Sequence, residues 1–113
     1  HIYGRLDGSL TSDAATALAK ELAEGISADA PDLATANIRK AQREGKVLLD
    51  WSQNRAAKTT VTPYSLRGRV RPWVAVPRTW EELLDPALEQ LEYTSALKLL
   101  KRRPCPLLTL TDA

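Results

Sequence analysis

Apolar positions along the chain fall into short alternating runs and one long helical repeat, a mixture that predicts an α+β fold. His1 to Leu6 alternates, with His1, Tyr3 and Arg5 on one side and Ile2, Gly4 and Leu6 on the other. It reads as a strand ahead of an Asp7-Gly8 turn. Its expected partner is the segment 46–52, where Val47, Leu48 and Leu49 close on Asp50. In a strand, Val47, Leu49 and Trp51 point into a core, while Asp50 and Ser52 stand on the open face of the sheet. Between these two strands Thr11 or Ser12 caps a helix running to about Ile26. Its Leu18, Leu22 and Ile26 recur every four residues and make a stripe expected to lie on the sheet, away from Asp50.

Pro31 stops that helix, and a second is expected over Ala34 to Glu44, closed by Gly45 in the left-handed conformation that ends helices. Arg39, Lys40 and Arg43 fall in its last turns, where a helix dipole favours cations and where a phosphate contact is an equal alternative. Thr59 to Thr62, interrupted by Pro63, reads as an edge strand or bulge. Past Tyr64, Ser65 and Arg67 alternate with Leu66, which places Arg67 on the side that Asp50 faces. Trp73 to Val76 is a short apolar strand. Thr79-Trp-Glu-Glu82 is a capping box that starts a helix near Trp80, Asp85-Pro86 opens a further helical turn, and Thr94 to Arg103 is a last helix ended by Pro104. The acids between Glu81 and Glu92 are explained as helix starts and exposed faces.

With 113 residues the chain is one domain or part of one, near the size at which burial only just offsets chain entropy. Its single cysteine, Cys105, lies between two prolines, reads as inert, and excludes an internal disulfide or a multi-cysteine zinc site. That favours a reducing, cytoplasmic setting. No apolar run is long enough for a membrane span and no signal-peptide pattern opens the chain, which starts at His1 as a fragment or processed product does. Charge changes the picture most. Nine Lys or Arg and two acids lie between Arg39 and Arg71, so this stretch carries an excess of seven positive charges against a whole-chain net of +2.

An aspartate at a strand end is more often a turn former than a catalyst. Fixed inside a basic zone, Asp50 suits a metal-assisted reaction on phosphates. A divalent ion there needs further oxygen ligands, and because no Asp-x-Asp pair occurs in the chain, two-metal chemistry requires acids from outside it. His1 is the only histidine, which excludes a multi-histidine metal site. Neither a phosphate-binding Gly-rich loop nor a Ser-His-Asp set is recognisable.

The run VLLDWSQNRAAKTTVTPYSLRGRVRPWVAVPRTWEEL, with DWSQN, PYSLRGR and VPRTWEEL at matching spacings, closely resembles the C-terminal half of the polymerase domain of bacterial DNA ligase D and its stand-alone relatives, within the archaeo-eukaryotic primase superfamily. His1-Ile-Tyr is similar to the end of that family's nucleotide-binding segment. The resemblance implies the C-terminal part of a single primase-polymerase domain over 1–113, half of a primase-type core with a mixed or antiparallel sheet flanked by helices. It further implies that Asp50 is the third metal-binding aspartate for two divalent ions, Mn2+ or Mg2+. By the same likeness His1, Gln53 and Arg67 bind the nucleotide and Arg43 the template strand; Ser52, on the face of Asp50, is expected to join the nucleotide site, and Lys40 and Lys58, in the basic zone, to bind DNA.

The implied partners are a DNA primer-template or DNA ends, nucleoside triphosphates, a Ku-type end-binding protein and a ligase domain, in the cytoplasm at the nucleoid and with no membrane. The family's Asp-x-Asp pair would precede His1, so the 113 residues alone are expected to be inactive. A non-catalytic nucleic-acid-binding remnant, or an interaction module docking through an open sheet edge, are the alternatives.

Overall fold

Residues 1–111 are described in a computed structural model, and they fold as two compact units, Leu6–Thr60 and His1–Arg5 with the segment from Val61 onward. In the first, α1 spans Ser12–Asp29. The Thr11 hydroxyl caps it by accepting from the Ala14 amide at 3.2 Å. The face it turns inward is made of small residues at four-residue spacing, Ala15, Ala19, Ala23 and Ser27. Ala23 is 6% exposed while Leu22 is 59% exposed, so the expected Leu18, Leu22 and Ile26 stripe faces outward instead. Short side chains let the helix backbone approach the turn at 51–54, against which it mainly packs, whereas leucines would hold it off.

The expected strand at 1–6 does not form: these residues are without regular structure. The partner of β2 (Val47–Leu48) is β1 (Ala34–Thr35), aligned parallel with Ala34 opposite Val47 and Thr35 opposite Leu48. The Val47 amide donates to Leu33 O and the Leu49 amide to Thr35 O, both at 2.8 Å. Val47 does not enter a core; it is 65% exposed.

The helix expected over 34–44 is likewise replaced, by β1 and a single 3-10 turn at Lys40–Gln42. Side chains explain why: Thr35 Oγ1 accepts from the Asn37 amide at 3.1 Å and Asn37 Oδ1 from the Arg39 amide at 3.0 Å. Each captures a donor that a helix would have used. With the helix goes the dipole explanation for Arg39, Lys40 and Arg43. Gly45 does take the left-handed conformation, φ 71°, and turns the chain into β2.

The second unit is an antiparallel arrangement of short segments. Tyr64 N donates to Ala75 O, Ala75 N to Ser65 O and Arg67 N to Trp73 O, which pairs 64–67 with 73–75. Val74 N donates to Leu91 O, and Trp73 bridges Glu92, adding a third segment. Thr59 to Thr62 is not a strand, and the pairing of 73–76 is reduced to bridges at Trp73 and Val74.

The capping box at α2 (Trp80–Leu83) forms as expected, with Thr79 Oγ1 accepting from Glu82 N at 3.2 Å and Glu82 Oε2 from Thr79 N at 3.1 Å. Arg103 then forks onto the same carboxylate, Nε to Oε1 and Nη2 to Oε2 at 2.7 Å each. Nη2 also donates to Pro77 O at 3.0 Å, so one guanidinium ties the end of α3 (Tyr93–Arg102) to the start of α2. Asp85-Pro86 makes a turn rather than more helix, and α4 covers Leu108–Thr111.

The hydrophobic side chains well buried among the described residues are Ala23, Ala34, Val74 and Ala96, all small or medium. The accessible surface is 9063 Å2 for 12.5 kDa. Even two separate compact globules of half that mass would expose together only about 7,400 Å2. Large apolar side chains such as Leu18, Leu22 and Ile26 are among those left exposed by the described residues.

Candidate functional site

Asp50 is where the chain leaves its extended path. Its backbone (φ −81°, ψ 81°) caps a 3-10 turn at Trp51–Asn54, so it does not project from the open face of a sheet as the alternation predicted. The reason is local: an aspartate followed two residues on by serine closes an Asx-type turn in which the carboxylate replaces a strand partner. Oδ1 accepts from both the amide of Ser52, at 3.2 Å, and its hydroxyl, at 2.6 Å. Oδ2 accepts from Gln53 Nε2 at 2.8 Å. Ser52, expected on the open face, is 7% exposed, with its hydroxyl proton committed to Asp50.

These bonds fix both the charge and the direction of the carboxylate. The Gln53 amide first, then the Ser52 hydroxyl, hold Asp50 below the usual carboxylate range; partial burial opposes them, and the Ser52 amide and the positive charge of Lys58 add to the lowering. Asp50 is therefore ionised at neutral pH. A carboxylate offers about four lone-pair directions; two on Oδ1 and one on Oδ2 are taken, which leaves Oδ2 one acceptor direction. That donor set suits a single oxygen ligand to a hard divalent cation. Among the described residues no cluster of three or more acidic, histidine or cysteine side chains is placed to hold a metal, so no complete metal site forms around Asp50 from these residues.

Trp51, the next residue, is clamped between cations, with Lys20 Nζ of α1 5.5 Å and the Arg55 guanidinium 5.2 Å from a ring centroid. This clamp seats the turn on α1. It is not visible in the sequence, because Lys20 lies thirty-one positions away. Ser52 and Gln53 were expected at the nucleotide; their bonds to Asp50 were missed in the sequence, where the Asp-x-Ser-Gln spacing was the available signal. Lys40 lies exposed in the first 3-10 turn, Arg43 is half-buried at its end, and Lys58 is exposed beyond the Asp50 turn, all in the same unit.

His1 and Arg67 belong to the other unit, where they line one cleft of about 730 Å3 together with Arg78, Trp80 and Gln90. The His1 and Tyr3 rings lie 6.3 Å apart and tilted by 58°. The basic stretch 39–71, continuous in sequence, is thus divided between the two units: Arg39 to Lys58 with Asp50, and Arg67 to Arg71 with His1.

The architecture is that of part of a polymerase domain. A solved structure, the polymerase domain from Mycobacterium tuberculosis ligase D in complex with DNA, superposes with a TM-score of 0.90 at 50% identity, covering 96% of this chain and 38% of that one. The family profile described as LigD, primase-polymerase domain matches residues 1–107, and the chain belongs to that family. Its curated relatives include the multifunctional non-homologous end joining DNA repair protein LigD of M. tuberculosis, 51% identical over 90% of this chain, and the bifunctional end joining protein LigD of Bacillus subtilis, 34% identical over 67%. The chain spans 13% of the length of each. No helix among the described residues is long and apolar enough to cross a membrane.

Proposed function

We propose that these residues are the C-terminal part of a nucleotidyltransferase that extends DNA 3′ ends during repair by end joining. The observation that carries this reading is the carboxylate of Asp50, ionised, oriented through both oxygens and left with one free acceptor direction. Family membership supports it, as do the relatives named for non-homologous end joining and the neighbour solved with DNA.

In the reaction the primer 3′-hydroxyl attacks the α-phosphorus of a nucleoside triphosphate; a new P–O bond forms, the α–β bridging bond breaks and pyrophosphate leaves. Divalent ions, Mn2+ or Mg2+, when bound would supply charge neutralisation and hydroxyl activation. Asp50 would hold one of them through Oδ2, with further carboxylates from outside these residues. Ser52 and Gln53 keep that oxygen aimed; this is a different task from the direct nucleotide contact expected of them, and Gln53 retains a carbonyl for such a contact. His1 and Arg67, on one cleft, would meet the nucleotide, where the guanidinium suits a triphosphate oxygen pair. Arg43, Lys40 and Lys58 would meet DNA phosphates. A Ku-type end-binding protein and a ligase domain are the expected partners.

The test is primer extension by the full-length protein carrying these residues, wild type against Asp50→Ala. Undiminished extension by the variant would remove Asp50 from the reaction. The 113 residues alone are expected to show no extension.

A further inference from the structure

The tip of the hairpin joining 64–67 to 73–75 carries arginine at every second position, Arg67, Arg69 and Arg71, around an apex residue, Val70, that is fully exposed. Backbone hydrogen bonds close the loop at its base and on both sides. Arg67 N closes its base onto Trp73 O at 2.7 Å, and tight turns pin each side, Arg69 N to Arg67 O and Trp73 N to Arg71 O, both at 2.8 Å. Arg71 lies with its guanidinium 4.7 Å from a Trp73 ring centroid and is forked by Nε and Nη2 onto Glu92 Oε1. Its Nε–Nη2 edge is held by Glu92 and the plane lies over Trp73, while the side chain stays 63% exposed. The Arg69 guanidinium has no hydrogen bond or ion pair among the described residues and no acid beside it in the shallow cleft it shares with Arg67, Val70, Arg71, Trp73 and Gln90.

We infer that this tip is a contact for unpaired DNA, in which Arg69 pairs with strand phosphates and the outer face of the Arg71 plane, held rigid by Trp73 and Glu92, carries a stacked base. A planar cation with one face on an aromatic ring and the other open is a stacking surface as well as a charge. The alternative source of phosphate, the nucleotide itself, fits less well. The cleft is open and the hairpin apex beside it projects into solvent, an arrangement suited to a polymer passing across it rather than to a small anion that must be enclosed. The inference rests on the polymerase reading, since it supplies the DNA.

The experiment measures fluorescence anisotropy of the full-length protein with a duplex bearing a single-stranded overhang and with the same duplex blunt-ended, across a salt series. Arg69→Ala is expected to weaken overhang binding roughly 5-fold and to lower the log–log salt slope by about 0.7, the single-strand value for one phosphate contact. Arg71→Lys keeps the charge and loses the plane. It is expected to weaken overhang binding several-fold with the slope unchanged. Blunt-duplex affinity and the nucleotide KM are expected to stay at wild-type values for both. Wild-type overhang affinity in both variants overturns the inference and leaves the polymerase reading standing. So does a raised nucleotide KM with unchanged DNA affinity, which would give the tip to the nucleotide. A wild-type protein that binds neither DNA removes the polymerase reading and this inference together.

Discussion

Ser52→Ala separates orienting Asp50 from contacting a nucleotide. The substitution removes one hydroxyl from a site that is 7% exposed and deletes the 2.6 Å bond to Oδ1, leaving the longer bond from the Ser52 amide. A hydrogen bond to a charged group contributes about 1.5–3 kcal/mol. Because Asp50 is only half-buried, water replaces part of what is lost and the lower end, about 1.5 kcal/mol, is expected.

The pH dependence follows from the depressed titration of Asp50. A carboxylate whose folded value lies below its unfolded value stabilises the fold at all pH above the unfolded value, and that contribution disappears as pH falls through the folded one. The gap in urea stability between wild type and Ser52→Ala is therefore full at pH 7 and closes as pH falls below about 4. In extension assays an orienting role lowers kcat and leaves the nucleotide KM in place, whereas a direct contact raises KM. Equal stability of the two proteins at pH 7, or a gap that persists unchanged into acid, would refute the orienting role.

Arg103→Met leaves Glu82 without its fork and should cost about 2 kcal/mol in urea unfolding, less than for a fully buried pair because both side chains keep some water. Burial raises the Glu82 titration, but the Arg103 hydrogen bonds, the Thr79 amide and nearby guanidiniums outweigh it, so this loss too is present at neutral pH and fades in acid. Gly45→Ala adds a Cβ that meets no atom within 4 Å, so only the backbone penalty at φ 71° remains, about 1–2 kcal/mol by denaturant titration; a neutral result would contradict the left-handed turn. The 113 residues alone, with Leu18, Leu22 and Ile26 uncovered, should bind a hydrophobic dye strongly and melt without a sharp transition. A cooperative melt with no dye binding would show that these side chains need no further cover.

Local chemistry could be read directly from the chain. The Thr11 cap, the capping box at Thr79, the stop at Pro104 and the left-handed Gly45 each depend on a few neighbouring residues, and each stands where the sequence places it. Asp50 was picked out from its surroundings of cations and amides and from a family likeness, and it is the likeness that the family profile bears out.

Pairing and facing belonged to the tertiary structure. Nothing in HIYGRL states that β2 will take Ala34–Thr35 instead, because strand partners are chosen over distance, and a segment that alternates well stays irregular if no partner reaches it. The leucine stripe of α1 has the same period as its alanine stripe, and which of them turned inward depended on how closely the 51–54 turn had to approach. Asp50 itself left the sheet face for a turn, since three hydrogen bonds from Ser52 and Gln53 were available within three residues and no strand lay beyond to hold it extended.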